Sequence, residues 1–255
     1  MLIDSHSHFD AAEFDHDRAA AHARALAAGV ARQVIPAVDA AGWPTLKEVC
    51  SHYPGLHPAY GLHPMYLEAH RPGHLRELRE WIARERPVAV GECGLDFFVK
   101  GLDADAQHVY FDGQLRIARE FELPVIVHAR RAVDAVIASL RKVGGLRGVV
   151  HSFSGSAEQA AQLHKLGFLL GIGGPVTYER ACRLRRIVAS MPLDQLLLET
   201  DAPDQPDADH RGQRNEPARL VHVLDVVAEL RGMQREELAV ATTANTERLF
   251  ALAAS

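Results

Sequence analysis

A chain of 255 residues, 47% hydrophobic and 24% charged, has the material for one large domain or two small ones with a full core. Its 28 basic and 33 acidic residues leave a net charge of −5, which excludes coating of nucleic acid by bulk electrostatics but not a local basic rim. The three cysteines, Cys50, Cys93 and Cys182, are odd in number and far apart, so no disulfide framework is expected. No apolar run reaches the roughly 18 residues that span a bilayer. Asp4 and two histidines stand where a signal peptide would carry basic residues and a long apolar core, so the sequence reads as cytoplasmic, with no membrane partner.

Leu2 and Ile3 open an apolar run of strand type that His6-Ser7-His8 closes. Residues two apart on a strand share a face, so His6 and His8 aim two imidazoles at one point, as a metal site requires. A helix over Asp17 to Ala28 stops at Gly29, and Gln33 to Pro36 is a second strand. A helix over Ala41 to His52 precedes a third strand, His57 to Gly61, with His63 just beyond it. Gly73 to Arg84 is helical, and Pro87 to Gly91 is a fourth strand that Glu92 ends. Asp105 to Glu122 is helical, and Pro124 to Val127 is a fifth strand that His128 ends. Ala132 to Val143 is helical, and Gly148 to Val150 is a sixth strand that His151 ends. A helix over Ala157 to Leu166, a seventh strand over Phe168 to Ile172 and a helix over Tyr178 to Ser190 follow. Gln195 to Glu199 is the eighth strand, ended by Thr200-Asp201, and two or three helices from Glu216 close the chain.

Eight apolar strands alternating with helices predict a (β/α)₈ TIM barrel over 1–255 as one domain. A doubly wound open sheet is the rival, and the absence of a G-x-G-x-x-G loop after the first strand weighs against it. In a barrel, function sits at the C-terminal ends of the strands. Here those ends carry His6, His8, His63, Glu92, His128, His151 and Asp201. Apolar runs that stop repeatedly on metal-ligand residue types predict a metal site. His6, His8, Glu92, His128, His151 and Asp201 are more ligands than one tetrahedral ion uses, and suit two divalent ions bridged by a carboxylate. Two cations about 3.5–4 Å apart generate hydroxide from water and clamp both oxygens of a phosphoryl displacement. Zinc, manganese or, less well, magnesium fits such a donor set.

Ile3 to Asp10, Gly91 to Asp96, Pro124 to Arg130, His151 to Gly155 and Leu198 to Pro203 resemble, in order, the motifs of the TatD family of metal-dependent deoxyribonucleases. Asn245 to Phe250 resembles that family's closing motif, and Gly171 to Tyr178 with Asp201 to Asp204 is most similar to its YjjV-like branch. The resemblance implies a TIM barrel of the amidohydrolase superfamily. It also implies one ion on His6, His8, Glu92 and Asp201 and a second on Glu92, His128 and His151. It implies catalytic roles for Asp201 and Glu92, and a phosphate or proton-transfer role for His63. Arg130 matches a basic position suited to bidentate contact with phosphate.

Glu199, Asp96 and Asp4 are candidates for supporting the ligands, and Arg211 and Arg214 for a strand-binding rim. Asp204, Asp207 and Asp209 depart from that picture, because a nuclease rim favours basic charge. The expected activity is two-metal phosphodiester hydrolysis by a monomer, and the resemblance implies 3′-5′ exodeoxyribonuclease action on single-stranded DNA ends. The alternatives are hydrolysis of a small ester, amide or lactone on the same metals, and a non-enzymatic barrel that keeps a metal site for stability. Strand four ends in Glu92 with no Lys within reach, which disfavours carboxylated-lysine chemistry.

Overall fold

The computed structural model describes residues 1–254. Eight strands, β1 (Leu2–Asp4), β2 (Val30–Pro36), β3 (Leu56–Tyr60), β4 (Ala89–Asp96), β5 (Val125–Arg130), β6 (Gly148–Val150), β7 (Phe168–Ile172) and β8 (Leu196–Leu198), form one sheet in sequence order. Every neighbouring pair is parallel. The Ser5 N–H donates to the Leu198 carbonyl at 3.0 Å, and the Asp201 N–H to the His6 carbonyl at 2.9 Å, so the seam between β8 and β1 is stitched. The expected TIM barrel is thus the observed fold. Its crossovers are helices α1 (Arg18–Ala27), α2 (Trp43–His52), α3 (His74–Glu85), α4 (Ala104–Glu120), α5 (Val133–Val143), α6 (Ala157–Lys165) and α7 (Cys182–Ser190), followed by α8 (Leu220–Arg231) and α9 (Arg235–Phe250).

The interior follows from the pleat. Val34, Ala59, Ala89, Ile126, Val149 and Leu197, from six different strands, meet in one apolar layer that the end of α9 completes with Leu249 and Phe250. Side chains two residues further along a strand share that face. His128 lies two past Ile126, His151 two past Val149 and Glu199 two past Leu197, so the same parity carries polar groups to the C-terminal rim. The alternate residues, such as Val125, Val127, Val150, Leu196 and Leu198, pack outward in the larger core beneath the helices.

Glu92 needs more than parity. Counting by twos from Ala89 leads to Gly91 and Cys93, yet Cys93 packs in the outer core. The register shifts between Val90 and Cys93, and this irregularity re-aims the intervening Glu92.

Several boundaries differ from those expected. β4 continues past Glu92 to Asp96 and β5 past His128 to Arg130, because the two strands stay paired as far as Asp96 and Arg130. β1 stops at Asp4, so His6 and His8 lie beyond the regular strand rather than on it. They are held on both sides: the Ser7 N–H donates to the Val34 carbonyl at 3.1 Å and the His8 N–H to the Ala202 carbonyl at 2.7 Å. Helix α7 begins at Cys182 rather than Tyr178, since Gly174–Thr177 forms a 3₁₀ turn before it. In the closing motif, the Asn245 amide donates to the carbonyls of Leu193 and Leu196 at 2.8 and 3.0 Å, pinning α9 to the start of β8.

Candidate metal centre

At the C-terminal rim, five of the singled-out side chains converge on the two oxygens of Glu92. Oε1 lies 2.8 Å from His151 Nε2, 2.9 Å from His63 Nε2 and 3.1 Å from His128 Nδ1. Oε2 lies 3.2 Å from His6 Nε2 and 3.3 Å from His8 Nε2. Asp201 Oδ1 joins the second group, 3.4 Å from His6 Nε2 and 3.6 Å from His8 Nε2. The carboxylate therefore stands between two clusters of nitrogen, one on each oxygen.

The spacing within each cluster tests its fitness for a cation. His6 Nε2 and His8 Nε2 are 3.3 Å apart, as are His128 Nδ1 and His151 Nε2. Two ligands about 2.0–2.1 Å from one tetrahedral ion stand roughly 3.3 Å from each other. Glu92 Oε2, His6 Nδ1, His151 Nδ1 and Glu199 Oε2 are buried with no hydrogen-bond partner in the protein, which is costly for a site that is only structural. Among the described residues no Lys or Arg pairs with Glu92, Glu199 or Asp201. The donor set fits one or two divalent cations, and the groups His6, His8, Glu92 and His63, Glu92, His128 each place three ligand atoms within 4.8 Å.

Hydrogen bonds on the far side of each ring fix which nitrogen carries the proton. His8 Nδ1 lies 3.2 Å from the Pro36 carbonyl, an acceptor only, so it must donate, and Nε2 turns its lone pair to the site. His128 Nε2 donates to Asp96 Oδ2 at 2.9 Å, leaving Nδ1 to face Glu92. This is the carboxylate–histidine support common behind metal ligands. His63 is the reverse case. Its Nδ1 accepts the Met65 N–H at 3.2 Å, so in the neutral ring the proton sits on Nε2 and points at Glu92. Burial pushes the His63 pKa down to about 4, which keeps that ring neutral. His63 is therefore arranged as a proton holder, whereas His8 and His128 are arranged as lone-pair donors.

The charges follow the same geometry. Burial pushes Glu92 up, but His151, His63, His6 and the bond from His128 outweigh it and hold the carboxyl well below its ordinary range. Burial raises Asp201 to about 6 against the pull of His151 and His8. Burial drives His6 well below the ordinary histidine value, whereas at His8 the adjacent Glu92 and Asp201 carboxylates outweigh burial and raise the ring to about 9, so a proton must leave Nε2 before its lone pair can hold a cation.

Sequence reasoning did not single out Gln205 or Ser152. The Gln205 amide donates to Asp201 Oδ2, and the Ser152 hydroxyl donates to Gln205 Oε1 at 2.7 Å. Both sit in loops, where no periodicity marks them. Glu199 accepts the Ser152 N–H at 2.6 Å and lies 3.6 Å from His151 Nδ1. A Cβ at Gly171 would stand 1.9 Å from Glu199 Oε2, so this carboxylate needs a glycine on the neighbouring strand. Asp4 supports backbone rather than a ring: it accepts the N–H groups of His6 and Thr200 at 3.2 and 3.0 Å, and Oδ2 lies 2.5 Å from the Thr200 hydroxyl.

The centre opens into a cavity of about 830 Å³, lined by His8, His63, Glu92, His128, His151 and Asp201 among others. Arg130 lines it as well. Arg214 does not join the rim: it forks onto Asp17 at 2.6 and 2.9 Å and covers the Phe14 ring at 4.5 Å. Of the three acids in the loop after β8, Asp204 and Asp209 are exposed, and Asp204 lines the cavity. Asp207 is buried, accepts the N–H groups of Asp209 and His210, and lies 2.9 Å from His210 Nδ1 and 3.1 Å from His222 Nδ1. No helix among the described residues is long and apolar enough to cross a membrane.

Comparison with known proteins places these motifs in a lineage. The sequence model of the family described as "TatD related DNase" matches residues 3–251. The uncharacterized metal-dependent hydrolase YjjV of Escherichia coli K12 is 41% identical over 252 residues, covering 98% of this chain and 97% of that protein. The 3′-5′ ssDNA/RNA exonuclease TatD of Klebsiella pneumoniae is 36% identical over 248 residues, covering 93% and 92%. The crystal structure of the YjjV TatD homologue from Escherichia coli K12 superposes with a TM-score of 0.94 at 39% identity, covering 99% of this chain and 98% of that one.

Proposed function

Because this chain belongs to the TatD related DNase family and is a metal-dependent hydrolase of that type, we propose that it is a two-metal phosphodiesterase that removes nucleotides from the 3′ end of single-stranded DNA. The reading rests on one observation above all: the two oxygens of Glu92 serve two separate nitrogen clusters, as a bridging carboxylate must. His6, His8 and Asp201 would hold one cation and His128 and His151 the other, with Glu92 common to both. Bound there, divalent cations supply Lewis acidity toward a phosphoryl oxygen and acidify water.

The residues of the chain do the rest. Asp201 takes the proton of the attacking water, with Gln205 holding its other oxygen in place. His63 Nε2–H donates toward a phosphate or leaving-group oxygen, a role its fixed tautomer suits. Arg130 offers its planar fork to the phosphate at the cavity wall. The name of the Klebsiella relative, a 3′-5′ ssDNA/RNA exonuclease, supports a strand end as substrate.

The test is digestion of a 5′-labelled single strand by protein of measured metal content, run beside bis(p-nitrophenyl) phosphate and a panel of lactones. A ladder shortening from the 3′ end, lost in Asp201→Asn with metal content retained, is the expected result. Turnover of lactones alone would replace this reading with small-ester hydrolysis. Loss of melting temperature on metal removal without any turnover would leave a structural metal barrel.

A further inference from the structure

Half of the large apolar side chains exposed on this molecule stand at the barrel mouth. Of the eight among the described residues, Met65 and Tyr66 follow β3, and Phe97 and Phe98 follow β4. Met65 and Tyr66 line the central cavity, as does Arg130. The Tyr66 ring sits 5.8 Å from His63, and His63 in turn 4.5 Å from His128, so it is one ring removed from the candidate metal ligands. At the same cavity the Arg130 guanidinium lies 3.8 Å from the centre of the Phe98 ring, with Arg131 at 4.7 Å. No carboxylate or carbonyl among the described residues occupies the Arg130 fork, so its N–H donors remain available.

This arrangement is tied to the centre. Asp96 holds His128 with one oxygen, and its other oxygen accepts the N–H groups of Phe98 and Val99 at 2.8 and 3.0 Å. The Phe97 N–H donates to the Arg130 carbonyl at 2.9 Å. One carboxylate thus sets both a candidate metal ligand and the loop whose ring carries Arg130.

We propose that Tyr66 and the Arg130–Phe98 pair form a shelf for the end of a single DNA strand, with Tyr66 stacking on a base and Arg130 clasping a backbone phosphate. This rests on the phosphodiesterase reading above. Aromatic faces stack on any base, and an arginine fork matches phosphate, so the shelf recognises a strand end without reading its sequence. Phe98 is a positioning residue that acts through Arg130.

The experiment compares kcat/KM of the metal-loaded enzyme on a labelled single strand with that on the same strand bearing abasic residues at its 3′ end. Stacking worth about 1–3 kcal/mol per base predicts a wild-type preference of roughly 5- to 160-fold for the strand with bases. That ratio should fall close to one in Tyr66→Ala and be kept in Tyr66→Phe. A ratio that survives in Tyr66→Ala overturns the stacking role. For Phe98, the double variant Phe98→Ala/Arg130→Ala should have the KM of Arg130→Ala alone, and additive effects would overturn its action through arginine. If the wild type hydrolyses neither strand but turns over lactones, the phosphodiesterase reading itself fails and the shelf with it.

Discussion

His63 Nε2 lies 2.9 Å from Glu92 Oε1 while the other nitrogen of the same ring accepts the Met65 N–H, so a neutral His63 presents a proton to Glu92 where its neighbours present lone pairs. Distance alone groups His63 with the candidate metal ligands. The tautomer separates it from them. His63→Ala should therefore leave the metal content per chain unchanged while lowering kcat on a phosphodiester about 10²- to 10⁴-fold. Elemental analysis beside steady-state kinetics checks this, and loss of one ion per chain would make His63 a ligand instead.

Asp96 reaches the centre only through His128. Replacing it with Asn removes the charge-assisted acceptor that keeps the proton on Nε2. Asp96→Asn should weaken metal affinity by about 10- to 100-fold with the fold intact. Competition against a chromogenic chelator measures it, and unaltered affinity would mean that packing alone orients His128.

The centre buries carboxylates and imidazoles whose polar atoms lack protein partners, so cations that occupy it should stabilise the native state. At a free metal concentration a hundred times the dissociation constant, the gain is about 2.7 kcal/mol per site. For a chain of this size that corresponds to roughly 5–11 °C in melting temperature. Calorimetry on chelator-treated protein across a zinc or manganese titration gives the answer, and a melting temperature indifferent to metal would contradict the assignment.

Asp207 sits away from the chemistry but governs the loop after β8. Burial pushes its carboxyl up, and bonds from His210 and His222 outweigh that and leave it below the ordinary range. A carboxyl whose pKa is depressed by folding contributes stability above its unfolded value, near 4, and loses it as the pH falls through the folded value. Asp207→Asn should cost about 1–2 kcal/mol at neutral pH. The gap from wild type should narrow as the pH is lowered from 5 to 2. Thermal melts across that range decide the point, and a gap that widened on acidification would reverse the sign.

The apolar runs and the residues that end them determined the barrel and the membership of its rim. Burial on both faces makes each strand a short hydrophobic block, and an imidazole or carboxylate at the end of such a block has nowhere to go but the rim. His6, His8, Glu92, His128, His151 and Asp201 were legible for that reason, each from its own neighbours along the chain. What each does there was decided only in three dimensions. The irregularity opposite β5 turns Glu92 inward. The tautomers of His8, His63 and His128 depend on the Pro36 carbonyl, the Met65 N–H and the Asp96 carboxylate. Arg214 reads as a rim cation until Asp17, 197 positions away, claims it, and Asp207 reads as exposed acid until His222 covers it. A hydrogen bond between residues distant in sequence leaves no periodic trace, because its partner is chosen by the closure of the sheet and not by any neighbour along the chain.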